Sequence, residues 1–336
     1  MSAKRSTIGL LLVLTLVGCD QASKAAGISG VNSSPAEMDG FIKSAKENLV
    51  FVEGGEFLMG DYGAEYGPEK MPYDLDKDSK PVHKVKLSGF SISRFKITNQ
   101  EYQFYLSRNG LELRGDVAGS SFKAVSSTPN IPAYMDWYEA EKYCTWLAKI
   151  TDLPFHLPTE AQWEYAARSR GQFLMVATDD GTYKATDDAV TREWESGPRG
   201  INISSSWDRK AFAKEKGWKT GTLTPLPVDR FPPNPLGLYA MSDNGLEWVK
   251  DWYDPDYYRK SPMIDPQGPD NPVFKDRYVR YVKVARGQEF ANPMWGGGIN
   301  VQRTAAEPHG YIDKTDLIYL NSKTARCVVN TAEPVK

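Results

Sequence analysis

Residues 51–60 alternate apolar and polar positions around Gly54-Gly55, a pattern that predicts a hairpin. Two strand-like runs follow, His83-Lys84-Val85-Lys86-Leu87 and Phe90-Ser91-Ile92-Ser93. At Thr98 the period changes: Glu101, three residues on, completes a capping box, and Tyr102, Tyr105 and Leu106 fall at helical spacing. Asp136 caps a second helix through Lys149, in which Trp137, Ala140, Tyr143, Cys144 and Leu147 form one buried face. Thr159, with Gln162 three residues later, opens a third and shorter helix. Residues 281–285 and 325–329 read as short strands. Residues 61–80 are an acidic, Gly- and Pro-punctuated loop, and 170–230 and 253–280 carry little periodicity. The pattern predicts one α+β domain with few regular elements and long loops. Loops of that length normally mark functional or metal-stabilised segments.

The N-terminus changes the picture. Lys4 and Arg5 precede an apolar run over 8–17, too short to span a bilayer, which ends in Leu16-Val17-Gly18-Cys19. It reads as a lipoprotein signal over 1–18, with Cys19 as the lipidated first residue. Asp20 then favours retention on the periplasmic side of the inner membrane, with the outer membrane as the other destination. Residues 19–48 are small and polar and predict a flexible tether, followed by a domain over 49–330 and a tail over 331–336. The chain carries 41 basic and 43 acidic residues, net −2, and loss of Lys4 and Arg5 takes it to −4. That balance gives no electrostatic case for nucleic acid. Beyond Cys19 only Cys144 and Cys327 remain: a disulfide in an oxidising compartment, or two buried thiols that never meet. The 9 Trp and 18 Tyr read either as core and loop packing or as an interaction surface.

Six strings in order carry a family resemblance. They are Gly54-Gly55-Glu56-Phe57-Leu58-Met59-Gly60; Lys96-Ile97-Thr98-Asn99-Gln100-Glu101-Tyr102; and Tyr143-Cys144 with Trp146-Leu147. Leu157-Pro158-Thr159-Glu160-Ala161-Gln162-Trp163-Glu164-Tyr165-Ala166-Ala167-Arg168 follows, then Asn234-Pro235-Leu236-Gly237-Leu238-Tyr239 and Glu247-Trp248-Val249-Lys250-Asp251-Trp252. Together they resemble the formylglycine-generating-enzyme, or sulfatase-modifying-factor, family over roughly residues 49–330. The resemblance implies a fold related to C-type lectins. It also implies a Cys144–Cys327 disulfide, because the matching cysteines are paired in relatives.

The family's oxidase members carry two C-terminal cysteines that bind copper. This chain places Ala291 and Gly296 there, with Glu289 at a serine place, and Glu307 ends the run that relatives close with arginine. Neither alanine nor glycine can bind Cu(I) or exchange with a substrate thiol, so copper-dependent formylglycine generation is expected to be absent. The resemblance also implies calcium. One site would use Asn244 and Glu247 with the carbonyls of Ser242 and Gly245, a hard-oxygen set suited to that ion. A weaker second site would use Asn202 with the carbonyls of Ile203 and Trp218, but Lys216 stands at its aspartate place. Of three histidines, His83 and His156 read as isolated, and His309 with Glu307 is the one pair of interest. No phosphate loop and no serine-nucleophile elbow is present. Two functions remain. The first is a non-catalytic periplasmic lipoprotein holding a protein partner in a groove near Glu289, Trp295 and Arg303. Its setting would be envelope or secretion-system regulation, or immunity against a periplasm-acting effector of the type VI secretion kind. The second is a metal-dependent oxidase like the siderophore-maturation relatives, using Glu289, Glu307 or His309.

Overall fold

Ten short strands and seven helices alternate along the described chain. A computed structural model describes residues 34–118, 121–184, 202–290, 298–314, 317–320 and 322–336. The sequence-predicted Cys19, Ala291, Trp295 and Gly296 lie outside the described residues. In order the elements are α1 Pro35–Glu47, β1 Leu49–Val52, β2 Gly55–Met59, α2 Gly63–Tyr66, β3 His83–Leu87 and β4 Phe90–Ser93. Then come α3 Asn99–Arg108, α4 Phe122–Ser126, α5 Trp137–Thr151, β5 Phe155–His156, α6 Glu160–Ala167 and α7 Ser206–Lys216. The chain ends with β6 Leu246–Trp252, β7 Lys283–Arg286, β8 Arg303–Ala306, β9 Lys323–Thr324 and β10 Val328–Val329. The strands form sheets ordered β1-β4-β10-β5, β2-β3 and β8-β7-β6-β9. Pairing is antiparallel except between β6 and β9. The fold is α+β, as the pattern predicts.

The two capping boxes and the Asp136 cap read from sequence form as expected, and the Asp136 cap is itself a capping box with Glu139. The side chains of Thr98, Asp136 and Thr159 accept from the backbone N–H of Glu101, Glu139 and Gln162, whose side chains return the bond. The buried positions of α5 include Trp137, Ala140, Tyr143, Cys144 and Leu147. Cys144 bonds Cys327 with Cα atoms 5.7 Å apart across 183 residues of chain. That link ties α5 to the segment entering β10 at the centre of one hydrophobic cluster, with Leu147, Trp248 and Val329.

Three expectations need correction. The Gly54-Gly55 pair does not turn a hairpin: β1 pairs with β4 and β2 with β3, so the chain changes sheet there. The glycines are needed for close approach, since a Cβ on Gly54 would lie 2.4 Å from the Leu87 carbonyl oxygen. The tether is also shorter than predicted. Pro35–Glu47 is a helix whose Phe41 stacks on Phe104 at 4.4 Å and packs tilted on Trp146 at 5.4 Å. Its polar composition masks a contact face of essentially Phe41 and Ala45, one helical turn apart. Finally, the stretch read as aperiodic contains α7. Its signals were local: Ser205 and Asp208 form a capping box, and Gly217 ends the helix in the left-handed conformation.

Candidate functional site

The Leu157–Arg168 string folds into α6, every residue of which is buried. It carries carboxylates into the core, where they meet Arg168 of the same string and arginines from two other segments, β7 and β8. Glu160 Oε1 accepts from Arg286 at 2.7 Å and from Arg303 Nε at 2.7 Å, and its Oε2 accepts from Arg303 at 2.9 Å. Glu164 takes Arg168 at 2.8 Å, Arg286 at 2.9 Å and the Gly60 amide at 2.9 Å. Burial pushes the Glu160 carboxyl up, but Arg303 and Arg286 outweigh it and hold it below the usual carboxylate range. This corrects the role expected for Arg303. Its side chain is fully buried, and its remaining nitrogen donates to the carbonyls of Asp78 and Asp254. It is a structural counter-ion of Glu160 and presents nothing to a partner.

The first calcium set is also organised differently. Glu247, at the start of β6, is fully buried. Its Oε1 accepts from Lys96 Nζ at 2.6 Å and from Arg326 at 2.8 Å, and its Oε2 from Arg326 Nε at 2.7 Å and the Trp163 indole at 2.9 Å. Lys96 also donates to the Gly245 carbonyl at 2.8 Å. Asn244 turns its amide to Leu226, accepting from its N–H and donating to its carbonyl, each at 2.8 Å. The four expected groups therefore do not converge on an ion, and two of them hold the Lys96 ammonium. Burial pushes the Glu247 carboxyl up, yet Arg326 and Lys96 bring it down to about 2. Lys96 shifts against the sense of an ion pair, to about 8, because burial lowers it more than Glu247 raises it. The asymmetry has a physical cause: Glu247 has two cations to itself, whereas Lys96 shares its one carboxylate with Arg326.

The second calcium set is likewise dispersed. The Asn202 amide donates to Asp179 at 2.8 Å and to the Thr182 carbonyl at 2.9 Å, and accepts from the Lys184 N–H at 2.8 Å. Lys216 ends α7 beside Glu215 at 3.0 Å, and Trp218 packs edge-on against Phe212. Residues of the 179–184 loop hold the Asn202 side chain. Among the described residues, no group of three or more His, Cys, Asp or Glu is poised to hold a metal.

The three residues named for altered chemistry do share one region. Glu307 Oε1 lies 2.9 Å from His309 Nδ1, and its Oε2 accepts from the His309 and Tyr311 amides. The imidazole is stacked on Tyr311 at 5.3 Å and tilted against Tyr138 at 4.7 Å, with its side chain 46% exposed. Lys323, on β9, lies within the fields of both Glu289 and Glu307. Burial holds its ammonium below the ordinary range, against the opposing pull of the two carboxylates. Burial and Glu289 also raise the neighbouring Tyr134 phenol. Glu289 is half-buried, with its carbonyl accepting the Gly245 amide at 2.9 Å. A half-exposed His–Glu pair beside a desolvated lysine can bind an anion or exchange a proton. His83 and His156 sit elsewhere, each with Nδ1 near a carbonyl, of Pro81 and Leu157, and each lowered by burial. Lys96, Lys323 and Arg326 were missed as site residues, because a lone lysine or arginine in a strand or linker announces no partner.

Fold and site together define a formylglycine-generating-enzyme-like scaffold whose buried carboxylates are paired with internal cations. The chain belongs to the sulfatase-modifying factor enzyme 1-like domain family, which it matches over residues 35–309. The match begins at the first residue of α1, in keeping with that helix being part of the domain. The chain is 29% identical over 259 residues to the formylglycine-generating enzyme of Streptomyces coelicolor, covering 66% of this chain and 74% of that protein. It is 25% identical over 249 residues to the inactive C-alpha-formylglycine-generating enzyme 2 of Bos taurus, covering 61% and 71%. Among solved structures, PvdO from Pseudomonas aeruginosa shares the fold with a TM-score of 0.54 and 22% identity, covering 84% of this chain and 94% of that one.

Proposed function

We propose that this chain is a non-catalytic binding protein built on the formylglycine-generating-enzyme scaffold, lipid-anchored through Cys19 and facing the periplasm. One observation carries the reading. The chain has three cysteines, two of which bond to each other, so the only thiol left for chemistry is Cys19, directly after the signal. A copper-dependent oxidase of this family needs a thiolate pair, and no pair remains. The binding face is centred on Glu289, Lys323, Glu307 and His309, flanked by Tyr138 and Tyr311, and its partner is a protein of the envelope or a secreted effector. A second reading, an oxidase with altered chemistry of the siderophore-maturation type, draws on the Glu307–His309 pair and on the fold likeness to PvdO.

Oxygen uptake with a cysteine-containing peptide, measured with added copper and then with added iron, separates the two. The binding reading expects no uptake above the protein-free control. Uptake abolished by His309→Ala would establish the oxidase instead.

A further inference from the structure

We infer that Lys96 is a built-in substitute for a bound cation: its ammonium occupies the place that the family resemblance gives to calcium, and the Glu247 site holds together without a metal ion. The donors there are a carboxylate and a backbone carbonyl, a set that suits a hard cation. Both are already taken, Glu247 Oε1 at 2.6 Å and the Gly245 carbonyl at 2.8 Å. The lysine cannot swing aside. Its backbone is clamped on the C-terminal side, where the Ile97 amide donates to Ala325 and the Ile97 carbonyl accepts from Ala133. Its side chain is fully buried, as is that of Glu247.

Charge makes the same case. Glu247 supplies one negative charge against the two positive charges of Lys96 and Arg326, the latter gripping both carboxylate oxygens. A divalent ion would enter beside two cations already in place, the further carboxylate nearby, Asp243, lies against Arg209 at 3.9 Å, and the Asn244 amide oxygen is held by the Leu226 N–H. The ammonium thus supplies inside the chain the charge that an ion would bring from solution. It fixes the turn before β6 to the segment before α3.

The test compares thermal unfolding of the mature wild type, Lys96→Glu and Glu247→Gln in chelator and in excess calcium. Wild type is expected to melt at the same temperature in both, to within about 1 °C, because an ion that does not bind the native state cannot stabilise it. Lys96→Glu sets a second carboxylate across from Glu247. It is expected to melt low in chelator and to regain about 5 °C or more with calcium. Terbium is a second probe. The Trp163 indole lies 2.9 Å from Glu247 Oε2, so tryptophan excitation should light terbium in Lys96→Glu and leave wild type dark. Should Lys96→Glu fail to fold, the wild-type measurements decide alone. Equal melting temperatures and a dark terbium titration support the inference. A wild-type melting temperature lowered by chelator, or terbium emission that Glu247→Gln removes, overturns it.

Discussion

At the scale of single residues, Glu247 shows how a family position can keep its identity and change its use. The carboxylate is present where the family pattern has it, but its charge is balanced by Lys96 and Arg326. A pH dependence follows. The Glu247 carboxyl is held at about 2 in the fold, below its ordinary 4.5. A depressed carboxyl contributes its stability in full above the ordinary value and loses it as pH falls towards the folded one. Stability should therefore drop by about 3 kcal/mol between roughly pH 4.5 and 2 from this group alone. Protonating Glu247 removes the counter-charge that the Lys96 ammonium and the Arg326 guanidinium share. Urea unfolding at a series of acid pH values checks this. Glu247→Gln should be destabilised by about 3–5 kcal/mol at neutral pH and should lack this component of the acid loss.

At the scale of elements, short strands are held by what crosses between them more than by their own length. β9 and β10 have two residues each, and the Cys144–Cys327 bond anchors the approach to β10. Closing a loop of 183 residues removes unfolded-state entropy worth at most about 5 kcal/mol. Reduction, or Cys144→Ser with Cys327→Ser, should lower the melting temperature markedly. A thiol count on the unreduced, denatured mature chain should find neither cysteine free; two free thiols would refute the bond. The helix α1 belongs to the same argument. Its link to the domain is Phe41 between Phe104 and Trp146, so truncation after residue 48 should cost stability where removal of a mere tether would not.

At the scale of the whole molecule, the design is a large domain with a charged interior behind a signal-like N-terminus. Cys19→Ser should release the protein from the membrane fraction and block its normal processing. Continued membrane attachment with normal processing would remove the lipid-anchor reading. If the anchor holds, the stretch between Cys19 and α1 is residues 19–34, which sets how far the domain stands from the bilayer.

How much of this was legible in the sequence depended on the range of the interaction. The helix caps at Thr98, Asp136 and Thr159 were readable because cap and helix lie within four residues of each other. The buried face of α5 was readable because its period is local, and the family strings carried the fold and the cysteine pairing. The reading of Ala291 and Gly296 at the family's thiol places likewise came from the sequence alone. Tertiary structure decided the rest. Glu160 meets Arg303 across 143 residues, and Glu247 meets Lys96 across 151. A buried charge takes whichever counter-charge the fold brings to it, because leaving it unpaired is costly. No local pattern announces that partner. Arg303 therefore read as an anchor for a ligand and Glu247 as a calcium ligand, until the packing placed a carboxylate against the one and a lysine against the other.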